Sequence, residues 1–99
     1  MTPAHKLELM ECVVGALEGA PEVRKIVVFG SFLDSESPND MDVAVFQESG
    51  EAYLPLALKY RRMAKPISDR IPLDIFPVKP GASGFFLGEI NKGKVIYER

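Results

Sequence analysis

Val27-Val28-Phe29-Gly30-Ser31, followed after residues 32–39 by Asp40-Met41-Asp42-Val43-Ala44-Val45, is the stretch whose reading fixes the architecture. Both halves are short, apolar and rich in β-branched residues, which reads as two buried strands. Gly30-Ser31 stops the first strand, and Phe32-Leu33 reads as the start of a helical turn. Asp34 to Asn39 is polar, carries Ser35, Ser37 and Pro38, and reads as a loop. Side chains alternate faces along a strand, so Asp40 and Asp42 point the same way at the mouth of the second strand. Two carboxylates held that close repel, and either a proton or a divalent cation relieves the conflict.

Working outward, Pro72-Leu73-Asp74-Ile75-Phe76-Pro77-Val78 reads as a third strand, and its prolines place it near a sheet edge. Asp74 lies between Leu73 and Ile75, where a charge is costly unless it is paired or bound to metal. If this strand lies beside the one opened by Asp40 and Asp42, three carboxylates converge. Taken alone, Asp74 would be an edge residue facing water. Gly30 allows backbone N–H groups to approach a phosphate closely, and the Ser31 hydroxyl adds a donor. A phosphate cradle opposite a cation-binding acidic pair is the equipment of nucleotidyl transfer.

The rest of the chain supplies layers. Thr2-Pro3 reads as an N-cap and first helical residue, with Leu7, Met10, Val14 and Leu17 as the apolar stripe and Gly19 as the C-cap. Tyr53 to Ala64 is a second helix, with Pro55 tolerated in its first turn and Pro66 marking its end. Ser83 to Asn91 is a weak helix containing Gly84 and Gly88, and Lys94 to Tyr97 is a last strand. The order α-β-β-α-β-α-β predicts one α/β (α+β) domain over residues 1–99, a small mixed sheet of about four strands with helices packed on it.

Composition sets bounds on function. A chain of 99 residues has a folded surface of about 5,600 Å², enough for one modest core. The net charge of −2 gives no general attraction to nucleic acid or anionic lipid. Cys12 is the only cysteine and His5 the only histidine, so disulfides and His/Cys metal clusters are excluded. Cys12 reads as a small packing residue and His5 as exposed. Uncharged runs such as Ile26 to Leu33 fall far short of the roughly 20 residues of a membrane span, and no signal peptide is read at the start. The expected location is the cytoplasm. Acidic residues crowd Asp34 to Glu51, and basic ones crowd Lys59 to Arg70. The basic stretch reads as a solvated face, with contact to an RNA or an acidic partner surface as the alternative. Phe85 and Phe86 read either as a cap on the core or as a partner-binding patch.

An apolar strand ending in Gly30-Ser31, an Asp40-x-Asp42 opening the next strand and a later strand aspartate, Asp74, together resemble the DNA polymerase β-like nucleotidyltransferase superfamily. In length the chain is similar to the minimal nucleotidyltransferase domains paired with HEPN-domain proteins in prokaryotic toxin–antitoxin modules. The resemblance covers almost the whole chain. It implies that Gly30 and Ser31 hold the phosphates of an NTP, expected to be ATP, and that Asp40 and Asp42 bind two Mg²⁺ ions. Asp74 would complete the second metal site and help activate the attacking hydroxyl. The implied reaction moves AMP to a hydroxyl, such as that of a tyrosine, on a HEPN-domain toxin that this chain neutralises. The chain departs from the family pattern Gly-Ser-x-Ala-Arg-Gly, reading Gly30-Ser31-Phe32-Leu33-Asp34-Ser35. Its loop to the acidic pair is also shorter than usual, and Asn39 stands where serine is common. These departures favour the alternative, a catalytically degenerate antitoxin or interaction module that binds its partner without transfer. A small-molecule acceptor such as an aminoglycoside fares worst, for no second substrate domain is read. Self-association stays open.

Overall fold

Helix α1 (Pro3–Leu17) begins as its sequence dictates. Thr2 Oγ1 accepts the His5 N–H at 3.1 Å, and Pro3 takes the first helical position, where no N–H is required. The buried stripe is Leu9, Met10, Val13 and Leu17, rotated from the expected one, and Leu7 is exposed. Apolar residues surround much of this helix, so periodicity alone did not select the buried face; the sheet did. Gly19 is not the C-cap either. Glu18 caps the helix in an ordinary right-handed conformation, its N–H reaching the Val14 carbonyl. The computed structural model describes every residue except Ser83, and every side chain except those of Ser83, Phe85 and Phe86. The expected helix start at Ser83 and the aromatic patch at Phe85 and Phe86 therefore lie outside the described residues.

Four strands follow: β1 (Val23–Phe29), β2 (Met41–Gln47), β3 (Leu73–Val78) and β4 (Lys94–Glu98). They form one mixed sheet in the order β3-β2-β1-β4. The central strands β1 and β2 are antiparallel, β4 is antiparallel to β1, and β3 runs parallel to β2 on the outer edge. That edge position is the one Pro72 and Pro77 require, because neither can donate to a ladder. Parallel pairing needs a long crossover. Helices α3 (Tyr53–Met63) and α4 (Lys65–Ser68) supply it. The short α4 is a departure from the sequence reading. Pro66, expected only to end a helix, also sits in the first turn of a new one, where its missing N–H is not needed.

A one-turn helix, α2 (Ser31–Asp34), follows β1 directly, and α5 (Phe85–Asn91) connects β3 to β4. Strand alternation divides the core in two. On one face Ile26, Val28, Met41, Val43, Val45 and Ile75 pack against Leu9, Val13 and Leu17 of α1, Phe32 of α2, and Leu56 and Tyr60 of α3. On the other, Val27, Phe29, Ala44 and Val78 form a smaller cluster with Ile90 of α5. The accessible surface is 5630 Å², matching what the chain length requires of one folded core. Gly93 marks the tightest point of this second layer. A methyl group there would stand 2.5 Å from the Val28 carbonyl oxygen, so only glycine lets the α5–β4 turn approach β1.

Candidate active site

The second face of the sheet carries the acidic residues. Register pairs Phe29 of β1 with Asp42 of β2, and Asp42 with Asp74 of β3, so the three stand in a row across the sheet. The Met41 N–H donates to the Pro72 carbonyl at 2.9 Å and fixes that register where the two strands begin. Beneath the row, the Phe29 and Phe76 rings meet at 5.9 Å between centroids, tilted by 50°. Ala44 belongs to the same apolar cluster. Asp42 is thus set against an apolar wall, half-buried, while Asp74 is exposed on the edge strand. Asp40 stands just before β2 and is also half-buried.

Asp42 holds its proton more tightly than an ordinary aspartate. Burial is the largest cause, followed by the negative charges of Asp40 and Asp74, and by a hydrogen bond with Asp74 in which protonated Asp42 donates. The sequence-predicted trio is therefore brought together as a close pair, Asp42 and Asp74, with Asp40 acting on it as a neighbouring charge. Among the described residues, no three His, Cys, Asp or Glu side chains form a ready-made cage for a metal ion. This donor set fits Mg²⁺ nonetheless. Such an ion would be held through one or two carboxylates together with substrate phosphates and water, and its charge would offset those of Asp40, Asp42 and Asp74.

Gly30 shapes the other side of the site. Its φ of 80° and ψ of −159° form a conformation that side chains strongly disfavour. A methyl group at Gly30 would also lie 2.8 Å from Asp42 Oδ2. Glycine thus does two jobs: it allows the sharp turn from β1 into α2, and it leaves the outer oxygen of Asp42 uncovered. Gly30 and Ser31 are both exposed, at the start of α2, where first-turn N–H groups of a helix have no partner within it.

Lys6 was not picked out by sequence reasoning. From α1 its ammonium donates to the Ser35 carbonyl at 2.6 Å and to the Leu33 carbonyl at 3.3 Å, and it lies 5.7 Å from the centre of the Phe32 ring. It therefore fastens the end of α2 to α1 across 29 residues of sequence. Only the tertiary fold shows this, because nothing in the local pattern around Lys6 distinguishes it from a solvated helix lysine. Asp34, at the position where the family pattern has arginine, is exposed at the end of α2. His5 is exposed and Cys12 half-buried, as expected.

Comparison with known proteins agrees with this fold. Residues 11–99 match the family Polymerase beta, Nucleotidyltransferase, and the chain belongs to that family. A search of curated proteins by sequence finds no match. Among solved structures, the fold is similar to a chain of the toxin–antitoxin pair MntA–HepT, with a TM-score of 0.63 and 17% identity over 94% of this chain and 73% of that one. It is also similar to a chain from the complex of a tri-AMPylated Shewanella oneidensis HEPN toxin with its MNT antitoxin. There the TM-score is 0.61 at 16% identity, covering 95% of this chain and 73% of that one. A candidate nucleotidyltransferase from Sulfolobus solfataricus gives a TM-score of 0.61 at 16% identity, over 97% of this chain and 83% of that one.

Proposed function

We propose that this protein transfers AMP from ATP to a hydroxyl of a HEPN-domain protein, and that it acts as antitoxin to that partner in the cytoplasm. The observation that carries the reading is the Asp42–Asp74 pair on adjacent parallel strands, open beside the Gly30 turn. Gly30 and Ser31 would receive the triphosphate, through first-turn N–H groups of α2 and the Ser31 hydroxyl. Asp40, Asp42 and Asp74 would hold two Mg²⁺ ions together with phosphate oxygens. Bound there, the ions supply charge stabilisation of the triphosphate and of the departing pyrophosphate. Asp74, the exposed member of the pair, is placed to accept the proton of the incoming hydroxyl. The acceptor oxygen then bonds to the α-phosphorus, the bond from that phosphorus to the bridging oxygen breaks, and pyrophosphate leaves with the electron pair. The HEPN toxin seen AMPylated in complex with an MNT antitoxin of the same fold supports both the group transferred and the partner.

One observation favours a second reading, binding without transfer. Asp34 puts a negative charge within one turn of the Gly30-Ser31 cradle, where a triphosphate would approach. A single experiment separates the two. The protein is incubated with a HEPN-domain protein encoded in its genome and with ATP labelled at the α-phosphate. Label on the partner that is lost with Asp42→Asn supports transfer. Neutralisation of the partner without label, unchanged in Asp42→Asn, supports the binding module.

A further inference from the structure

The basic stretch from Lys59 to Arg70 separates into two groups once its side chains are placed. Lys59 is committed to Glu22, Lys65 to Asp69 and Arg70 to Glu8. Among the described residues, Arg61 and Arg62 alone of the five have no ion pair. Both line a groove of about 450 Å³ that runs between the end of α3 and the start of β3, with Leu58 at one side and Leu73 and Asp74 at the other. The groove thus reaches one member of the carboxylate pair, Asp74. It is also partly apolar. Leu54 and Leu58, four residues apart on one face of α3, are 64% and 48% exposed and extend the arginine stripe away from Asp74.

We infer that this groove docks an acidic segment of the acceptor protein, with an apolar anchor on Leu54 and Leu58 and carboxylates on Arg61 and Arg62, and so leads the acceptor hydroxyl to Asp74. The inference rests on the transfer reading for the hydroxyl, but the docking stands on charge and shape alone. Arginine beside exposed leucine is the composition of a protein-binding surface. An RNA strand fits it poorly. Leucines offer nothing to phosphates, and the groove ends at Asp74, with Asp42 and Asp40 beyond, where a continuous polyanion meets repulsion. An acidic peptide can confine its charge to the two arginines.

The test uses the full chain and a fluorescein-labelled random glutamate–tyrosine copolymer, with a lysine–tyrosine copolymer and a single-stranded RNA as comparisons, read by fluorescence anisotropy. The glutamate–tyrosine copolymer is expected to bind, more weakly as salt rises, and Arg61→Glu/Arg62→Glu should reduce its affinity about tenfold or more. The same variant should leave binding of ATP with Mg²⁺ within about twofold, by calorimetry, because these arginines lie outside the Gly30-Ser31 cradle. Arg61→Gln/Arg62→Gln gives the same direction if charge reversal unfolds the chain. No binding of the acidic copolymer, equal binding by the variants, or tighter RNA binding lost in the same variants overturns the groove. If acidic binding depends on the arginines but no label passes from ATP to the HEPN-domain partner, the groove stands and the transfer reading falls. Labelling of the copolymer that survives both arginine variants has the opposite meaning.

Discussion

Asp42 and Asp74 face one another across adjacent parallel strands, and burial together with the charges of Asp40 and Asp74 raises the Asp42 pKa above its ordinary value. An acid whose pKa is raised by folding adds stability below its ordinary value of 3.8, and that stability is lost as pH rises through the raised value. Once Asp42 ionises, its charge therefore weighs against the metal-free fold.

Removing that charge should stabilise the metal-free protein while disabling it. Asp42→Asn is expected to raise the melting temperature in EDTA at pH 7 by about 2–5 °C, a value kept small because the site is only half-buried. Adding Mg²⁺ with ATP should raise the wild-type melting temperature and leave that of Asp42→Asn unchanged. Differential scanning calorimetry with and without EDTA reads both; a fall in melting temperature for the metal-free variant would refute that penalty.

Gly30→Ala is expected to damage the site more than the fold. The left-handed turn costs about 1–3 kcal/mol with a side chain present, and the new methyl displaces Asp42 Oδ2. Affinity for ATP with Mg²⁺ should fall at least about tenfold, since a misplaced ligand loses more than 1.4 kcal/mol of binding. Calorimetric titration of the folded variant checks this.

Gly93→Ala should behave in the reverse way. Its methyl meets the Val28 carbonyl oxygen, a backbone atom that cannot move without shifting β1. A loss of about 2–3 kcal/mol is expected in urea unfolding, with nucleotide affinity per folded molecule unchanged. A variant as stable as wild type would show that the α5–β4 turn is looser than described.

Tyr60→Phe probes the anchor between α3 and the start of β1. The buried Tyr60 hydroxyl donates to Glu22 Oε2 at 2.7 Å, and Lys59 donates to the same oxygen at 2.9 Å. Burial opposes ionisation of Glu22, but these hydrogen bonds outweigh it and hold the pKa below its ordinary 4.5. Glu22 therefore contributes stability above that value and loses it as pH falls through the lowered one. Tyr60→Phe should cost about 1–2 kcal/mol at pH 7 and progressively less at acid pH, as Glu22 takes up its proton. Urea denaturation at neutral and acid pH is the measurement; an equal cost at both would show that the anchor does not depend on the Glu22 charge.

Much of this was legible in the sequence because it is written in local signals. Apolar β-branched runs made β1, β2 and β3, the prolines put β3 at an edge, and Gly30-Ser31 marked the turn into α2. The aspartates stood out as charges among apolar strand residues. Where local signals conflicted, the reading slipped. The apolar residues of α1 spread over most of its surface, so the buried face was misassigned. Pro66 is as compatible with starting a helix as with ending one, and α4 was missed.

The sequence by itself determined which residues are available: Asp40, Asp42 and Asp74, the Gly30-Ser31 turn, and a basic stretch after Tyr53. Alternation along a strand even made the face of Asp42 predictable, because a period of two is set by backbone geometry, whereas Asp40 stands just before β2, outside that alternation. Only the tertiary structure decided that β3 pairs with β2 in the register that sets Asp74 opposite Asp42, that Lys6 fastens α2, and that Arg61 and Arg62 line the groove that reaches Asp74. Those relations depend on pairing between residues far apart in the chain, which no local pattern encodes. They are fixed by the joint packing of both faces of the sheet.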